Sequence, residues 1–175
     1  MIIGLAGYKG SGKDFVADIL VEEYGYTKVA FADPIKKFVM DTYSLKGYGE
    51  YDAFKRTNFW VLGKHVHGRD IVREIGMMMR GYDMDQFTTY VHEQWLKEPN
   101  GKIVVSDLRF DNEYRLIRDL KGKTIRIESD LTKSDGHESE QVHQTDFTLT
   151  NNWGTTNQAI QLYKDVQNIM ESINK

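Results

Sequence analysis

The chain has no cysteine among its 175 residues, only two prolines, and no apolar run long enough to cross a membrane. The absence of cysteine excludes disulfides, thiolate catalysis and cysteine-based metal sites, and it agrees with a reducing compartment. Because the net charge is only −3, electrostatics gives no reason to expect nucleic acid or an anionic membrane as a partner. The first residues, MIIGLAG, lack the basic region of a signal peptide. We therefore expect a soluble, cytoplasmic protein.

What the chain does have is an alternation of strand-like and helix-like segments. Short apolar runs are typical of buried parallel strands, and amphipathic spacing is typical of helices. The predicted strands are 2–6, 27–32, 103–106, 124–128 and 147–150. The predicted helices are 14–24, 33–43, 69–80, 83–96, 112–120 and 159–173, while 44–67 is predicted to be irregular. This alternation predicts an α/β domain with a parallel sheet.

A glycine-rich stretch, GYKGSGKD, lies between the first predicted strand and the first predicted helix. Gly7, Gly12 and Lys13 have the G-x-x-x-x-G-K spacing of a phosphate-binding loop (P-loop), in which backbone N–H groups and a helix N-terminus bind phosphate. Lysine at this position reaches the β- and γ-phosphates of a nucleotide. The alternative is a glycine-rich turn with a solvated lysine. We predict that the phosphates of a nucleotide contact the loop residues Gly7, Lys9, Gly10, Ser11, Gly12, Lys13 and Asp14.

Asp14 stands where a P-loop ordinarily has the Ser or Thr that binds Mg²⁺. A carboxylate can also bind Mg²⁺, directly or through a water molecule. It adds negative charge beside the phosphates, which is tolerable only with a cation between them. Alternatively, Asp14 is an acid in the first turn of a helix, where negative charge is favoured. The two interpretations are compatible.

The stretch KIVVSDLRFDNEY places Asp107 and Arg109 just beyond a predicted strand. In open parallel sheets, ligands bind beyond the carboxyl ends of the strands. Asp107 is therefore a candidate metal-binding carboxylate, and Arg109 is a candidate cation for a phosphoryl group. A surface ion pair between the two is the alternative.

Two further pairs are candidates for binding a phosphorylated ligand. Arg69 and Arg73 are four residues apart in a predicted helix, so one helix face presents two guanidinium groups; a solvated basic face is the alternative. Asp33 and Lys36 follow the second predicted strand and could contact the same ligand. Alternatively, Asp33 is only the N-cap of a helix with Pro34 at its first position, and Lys36 is a surface residue.

The segment GYKGSGKDFVADIL resembles the P-loop of bacteriophage deoxynucleoside monophosphate kinases, in which G-K-D replaces G-K-[ST]. Residues 68–91, the D-L-R of residues 107–109, and residues 123–154 resemble further blocks of that family. The resemblance implies transfer of the γ-phosphoryl group of ATP to a deoxynucleoside monophosphate, with Mg²⁺ as the cofactor. It leaves open whether the protein is a monomer or a homodimer, and a phage origin would place it in the host cytoplasm.

The resemblance also implies an organisation for the chain. Residues 1–175 would form one P-loop kinase domain of the three-layer α/β/α type, with 33–98 as a helical acceptor-binding part and 129–144 as a lid-like loop. Arg126 and Lys133 would close over the transferring phosphoryl group, Lys133 on the ATP side. The implied catalytic residues are Lys13, Asp107, Arg109 and Arg126, the implied metal ligands Asp14 and Asp107, and the implied acceptor-binding residues Asp33, Lys36, Arg69, Arg73 and Glu140.

Two other functions fit parts of the same pattern. Animal-type phosphomevalonate kinases share the G-K-D ending, so the acceptor could be phosphomevalonate. A nucleotide-dependent switch protein is the second alternative, since DLKG (119–122) and TKSD (132–135) match two GTPase signatures. We interpret both matches as coincidental, because they lie too close together and Asp14 replaces the hydroxyl that switch proteins use for Mg²⁺. Among nucleotides, dGMP, dTMP, hydroxymethylated dCMP and dAMP all remain candidate acceptors.

Overall fold

The computed structural model describes residues 1–130, 132, 143–152 and 156–173, without the side chains of 156 and 157. Two compact units are present, one comprising Met1–Ala30 with Val91–Lys175 and the other Phe31–Tyr90. We name them the sheet unit and the helical unit. The helical unit overlaps the segment 33–98 that is predicted to bind the acceptor.

In the described part of the chain, the strands are β1 (Ile2–Ala6), β2 (Thr27–Val29), β3 (Asn58–Val61), β4 (Lys64–His67), β5 (Ile103–Val105), β6 (Lys123–Glu128) and β7 (Phe147–Thr150). The helices are α1 (Lys13–Tyr24), α2 (Asp33–Thr42), α3 (Tyr48–Arg56), α4 (Gly68–Tyr82), α5 (Gln86–Lys97), α6 (Asp111–Asp119) and α7 (Thr156–Ile173). None of these helices is both long and apolar enough to cross a membrane. The predicted strands and helices are confirmed to within a few residues, except between 44 and 67.

The sheet unit is built on a parallel sheet with the strand order β2-β5-β1-β6-β7. The central strand β1 pairs on both sides: Gly4 is opposite Val105 of β5 and Thr124 of β6. The carboxyl ends of these three strands therefore meet at one edge of the sheet. The predicted central parallel sheet is confirmed.

Helices cover both faces of this sheet. Successive side chains of β1 point to opposite sides, so this strand packs against helices on each face. Ile3 and Leu5 belong to a buried cluster that includes side chains of α1 and α7. On the other face, a Cβ added to Gly4 would lie 3.2 Å from Ile117 of α6. The predicted three-layer arrangement is confirmed.

Glycines set both ends of α1. Gly12, with a φ of 102°, precedes its first residue, and Gly25, with a φ of 69°, ends it as the sequence predicts. Beyond the last turn, the N–H of Gly25 donates to the carbonyl of Val21 and the N–H of Tyr26 to that of Leu20. These bonds satisfy carbonyl groups that the helix itself leaves without partners.

The helical unit corrects one prediction, because most of residues 44–67 lie in regular elements and not in an irregular segment. They contain α3 and an antiparallel hairpin of β3 and β4. The hairpin turns at Leu62 and Gly63, with φ values of 48° and 80°. A Leu-Gly turn lacks the Asn-Gly or Asp-Gly signal of such hairpins, so the sequence conceals it. The unit packs around the buried residues Val39, Tyr51 and Phe54.

Candidate active site

The glycine-rich loop connects the end of β1 to the start of α1. Gly7, Gly10 and Gly12 have backbone φ values of 141°, 81° and 102°, which residues other than glycine rarely adopt. At Gly7 an added Cβ would lie only 2.3 Å from the carbonyl oxygen of Ile127 in β6. The loop therefore needs glycine for its backbone conformation and, at Gly7, for close packing on the neighbouring strand.

Lys13, the first residue of α1, lies across this loop. Its Nζ donates to the carbonyl oxygens of Gly7 at 2.7 Å and of Tyr8 at 2.8 Å. The ammonium group is partly buried by this contact. A positive charge is thus held at the N-terminus of α1, where a phosphate would also meet the helix dipole.

Asp14 is in the first turn of α1 and forms an ion pair that the sequence does not signal. Its carboxylate lies 3.0 Å from Nζ of Lys28, and Asp18 lies 2.9 Å from the same nitrogen. Burial works against the charge on Lys28, but its hydrogen bonds to the carboxylates of Asp18 and Asp14 outweigh burial and raise the pKa of Lys28. The Asp14 side chain is 83% exposed. Asp14 therefore remains accessible to a ligand, with a lysine as its present partner.

The turn after β5 brings Asp107 and Arg109 to the same edge of the sheet as the loop. Between them, the N–H of Leu108 donates to the carbonyl of Leu5 in β1 at 3.1 Å. Just before them, the N–H of Ser106 donates to the carbonyl of Val29 in β2 at 3.2 Å. The turn is thereby fixed to the two strands that flank β5.

Glu113 is a buried carboxylate that the sequence analysis missed. It is 1% exposed, and its Oε2 accepts hydrogen bonds from the backbone N–H of Arg109 at 2.8 Å and of Phe110 at 3.1 Å. The N-terminus of α6 favours its negative charge. The available signal was a Glu three residues after the N-cap position, half of a capping box. Through these bonds Glu113 fixes the backbone that carries Arg109.

Arg126 lies in β6 and is only 8% exposed. Its Nε donates to Glu128 at 3.0 Å, and its guanidinium carbon is 5.6 Å from the centroid of the Tyr8 ring in the loop. Burial raises the pKa of Tyr114 to about 12, although the positive charge of Arg126 opposes the shift. The Arg126 guanidinium group is therefore held beside the loop by Glu128 and the Tyr8 ring.

Within the helical unit, Asp33 and Lys36 bind each other. Oδ1 of Asp33 lies 2.7 Å from Nζ of Lys36, one turn further along α2. The alternative interpretation of Asp33 as the N-cap is wrong, since Ala32 occupies that position and Asp33 is the first helical residue. Carboxylate and ammonium groups adjacent on one turn offer a ligand both an acceptor and a donor.

A cavity of about 670 Å³ lies beside this pair, a size typical of small-molecule sites. Its lining consists of Asp33, Pro34, Lys36, Lys37, Phe38, Met40, Asp41, Tyr48, Met79 and Tyr90. Nζ of Lys36 is 6.0 Å from the centroid of the Tyr48 ring. Burial, and then the charge of Asp33, raise the pKa of the Tyr90 hydroxyl. The cavity thus combines charge with aromatic surface.

The comparisons with known proteins agree with one another. The family model for deoxynucleotide monophosphate kinase matches residues 1–95, more than half of the chain. A protein of Acanthamoeba polyphaga mimivirus, named "Putative deoxynucleotide monophosphate kinase", is 30% identical in a match that covers 87% of this chain and 89% of that protein. The chain belongs to the deoxynucleotide monophosphate kinase family.

Solved structures of P-loop kinases resemble this member of the family in fold. Dephospho-CoA kinase from Campylobacter jejuni is 18% identical with a TM-score of 0.54, and the match covers 98% of each chain. Shikimate kinase from Aquifex aeolicus is 12% identical with a TM-score of 0.53, over 99% of this chain and 98% of that one. At these identities the similarity shows the fold alone.

The structure gives less information about the four remaining residues predicted from the family resemblance. Arg69 and Arg73 lie on the exposed side of α4, and Arg73 binds Asp70 at 3.1 Å. Lys133 and Glu140 lie outside the described residues. In the part of the chain that the structure describes, no three acidic or histidine side chains cluster in a way that could hold a metal ion.

Proposed function

We propose that this protein transfers the γ-phosphoryl group of ATP to a deoxynucleoside monophosphate in a Mg²⁺-dependent reaction. A phosphate oxygen of the acceptor forms a bond to the γ-phosphorus, the bond from that phosphorus to the β–γ bridging oxygen breaks, and ADP leaves with the electron pair. The observation that carries the proposal is the P-loop with Lys13 at the same sheet edge as Asp107 and Arg109, in a member of this family. No general base is required, because the acceptor phosphate is already ionised near neutral pH.

On the donor side, the residues of the sheet unit supply positive charge. The loop's backbone N–H groups and the N-terminus of α1 would bind the phosphates, and Lys13 would exchange its carbonyl partners for phosphate oxygens. Arg109 and Arg126 are proposed to stabilise the charge that develops on the transferring group. By resemblance, Lys133 belongs to the same set.

Asp14 and Asp107 are the residues that we propose to hold Mg²⁺. Both offer carboxylate oxygens, the ligand type that Mg²⁺ prefers, and Asp14 is exposed enough to be reached. The ion would neutralise charge on the phosphate oxygens. For this role Asp14 must exchange Lys28 for the metal, directly or through water.

On the acceptor side, we propose that the cavity beside Asp33 and Lys36 binds the deoxynucleoside monophosphate. The Lys36 charge and the aromatic rings that line the cavity suit a charged, planar ligand. Arg69 and Arg73 are proposed to bind the acceptor phosphate, with Glu140 assigned to the acceptor by resemblance. We further propose that residues 1–175 act as one kinase domain with 129–144 as its lid.

The test is ADP release from ATP and Mg²⁺ with dGMP, dTMP, hydroxymethylated dCMP, dAMP and phosphomevalonate, each alone. We expect turnover with at least one nucleotide and only background hydrolysis without an acceptor. Turnover with phosphomevalonate alone would keep the reaction type and overturn the acceptor. Binding of ATP without turnover on any acceptor would instead favour a nucleotide-binding switch.

A further inference from the structure

Asn151 connects the last strand of the sheet to the P-loop. It follows β7 directly, and its side-chain Nδ2 donates to the carbonyl oxygen of Ser11 at 2.8 Å, although the two residues are 140 positions apart. Asn151 is 3% exposed and Ser11 is 1% exposed. The contact is therefore a buried hydrogen bond between the sheet and the middle of the loop.

Asn151 is itself held in place from the other side. Its backbone N–H donates to the carbonyl of Glu128 at 2.7 Å, which extends the pairing of β6 with β7 by one residue. The loop also rests on β6 at Gly7, where the Ile127 carbonyl leaves no room for a Cβ. Two points on adjacent strands thus fix the loop, one near its start and one near its end.

The bond from Asn151 determines how one peptide group of the loop is oriented. In a planar trans peptide the C=O and the following N–H point in opposite directions. Because the Ser11 carbonyl points to Asn151, the N–H of Gly12 points away from Asn151. This N–H precedes α1 and belongs to the group of donors that a P-loop presents to phosphate.

We infer that Asn151 is a positioning residue for ATP: it orients the Ser11–Gly12 peptide so that the Gly12 N–H faces the donor phosphates. The inference rests on the proposed function, since it assumes that ATP binds at this loop. Asn151 does not contact the reacting atoms; it acts through the loop backbone.

The test compares Asn151→Asp with Asn152→Asp. At Asn151 the change keeps the side-chain shape but places an acceptor oxygen against the Ser11 carbonyl. At Asn152 the same change retains an acceptor for the backbone N–H of Asp130, which the Asn152 oxygen contacts at 3.4 Å. We expect Asn151→Asp to raise the Kd and KM for ATP about tenfold and to leave the acceptor KM unchanged. Asn152→Asp should leave the Kd and KM for ATP and the acceptor KM unchanged.

Two measurements separate the possible outcomes: the affinity for ATP by calorimetry and the melting temperature of each variant. If Asn151→Asp does not fold, Asn151→Ala removes the donor without adding charge and is judged by the same measurements. A lower melting temperature with unchanged ATP affinity would overturn the inference, because Asn151 would then be structural only. An equal rise in both KM values would also overturn it. If the wild-type protein does not bind ATP at all, the proposed function fails instead.

Discussion

The sheet unit and the helical unit differ in how far their apolar side chains are exposed to solvent. Every residue of β1 and β5 in the sheet unit is buried. In the helical unit, large apolar side chains remain in solvent: Tyr48 is 64% exposed, Trp60 67% and Leu62 98%. The central strands of the sheet unit thus lie in a buried core, whereas the helical unit retains exposed apolar surface that a ligand could cover.

This difference corresponds to two requirements of phosphoryl transfer. Under the proposed function, stabilising the transferring phosphoryl group needs positive charges at fixed positions, and we assign this role in the sheet unit to Lys13, Arg109 and Arg126. Binding an acceptor nucleoside needs aromatic and apolar surface beside a few polar groups. We therefore expect changes in the sheet unit to affect every substrate, and changes in the helical unit to affect the acceptor. The predictions below test this division, from the largest expected effect to the smallest.

Replacing Lys13 should have the largest effect on activity. We expect Lys13→Met to lower turnover by about 10³-fold with every acceptor, because the charge at the N-terminus of α1 is lost. Steady-state kinetics measure the loss, and circular dichroism checks that the fold is retained. Lys164→Met makes the same chemical change on the exposed side of α7 and should leave turnover unchanged. Retained activity in Lys13→Met would refute the donor-site assignment.

Truncating one apolar side chain in each unit should lower the free energy of unfolding by different amounts. Ile125 in β6 is 0% exposed, so Ile125→Ala should lower the free energy of unfolding by about 2–5 kcal/mol. Leu62 in the hairpin turn is 98% exposed, and Leu62→Ala should change it by less than about 0.5 kcal/mol. Urea denaturation measures both values. Similar losses in the two variants would contradict the contrast in burial.

Alkaline pH should reveal the burial of Tyr114. Burial raises its pKa to about 12 in the folded state, so its contribution to stability is complete below pH 10 and is lost as the pH rises from 10 to 12. We expect a loss of roughly 2–3 kcal/mol over that range. Tyr114→Phe should flatten this part of the stability curve, whereas Tyr82→Phe, at an 87% exposed position, should not. A curve unaffected by Tyr114→Phe would contradict the prediction.

Lys36→Met should affect the acceptor alone. Loss of one charged donor in the cavity should raise the KM for the acceptor about tenfold and leave the KM for ATP unchanged. Lys55 provides a matched control, because it also pairs with an Asp three residues before it, at 2.6 Å, in the same unit. Lys55→Met should change neither constant. A rise in the KM for ATP would mean that the division between the units is wrong.

Asp14→Ser should give the smallest effect, a few-fold shift in the Mg²⁺ concentration needed for activity and for thermal stabilisation in the presence of ATP. Asp18 binds the same Lys28 from one helical turn further on. Asp18→Ser therefore disturbs the same lysine without touching the loop, and it should leave the titration unchanged. Equal shifts in both variants would show that Asp14 acts only through Lys28.

Local patterns in the sequence predicted much of the fold. The buried strands, the amphipathic helices and the glycines around α1 each depend on a few neighbouring residues. The loop at Gly7 to Asp14 and the turn carrying Asp107 follow buried strands, so the parallel sheet alone places both at its carboxyl edge.

The contacts that complete the candidate site were beyond such reasoning. Asp14 binds Lys28 and Asn151 binds Ser11, and in each case the partner is set by the sheet topology rather than by spacing along the chain. The hairpin of the helical unit was missed because its turn has leucine where Asn or Asp is usual. Glu113 was overlooked although the capping pattern of α6 signals it.

The strand order has a consequence for synthesis on the ribosome. Among the described strands, β1 pairs only with β5 and β6, and its first partner residue, Ile103, is translated 101 residues after Ile2. At about 5–20 residues per second, the nascent chain carries an unpaired apolar strand for roughly 5–20 s. During that interval we expect the exposed segment IIGLA to be open to chaperone binding and to aggregation. The hydrogen bond from Asn151 to the loop that follows this segment can form only after residue 151 of 175 has been translated.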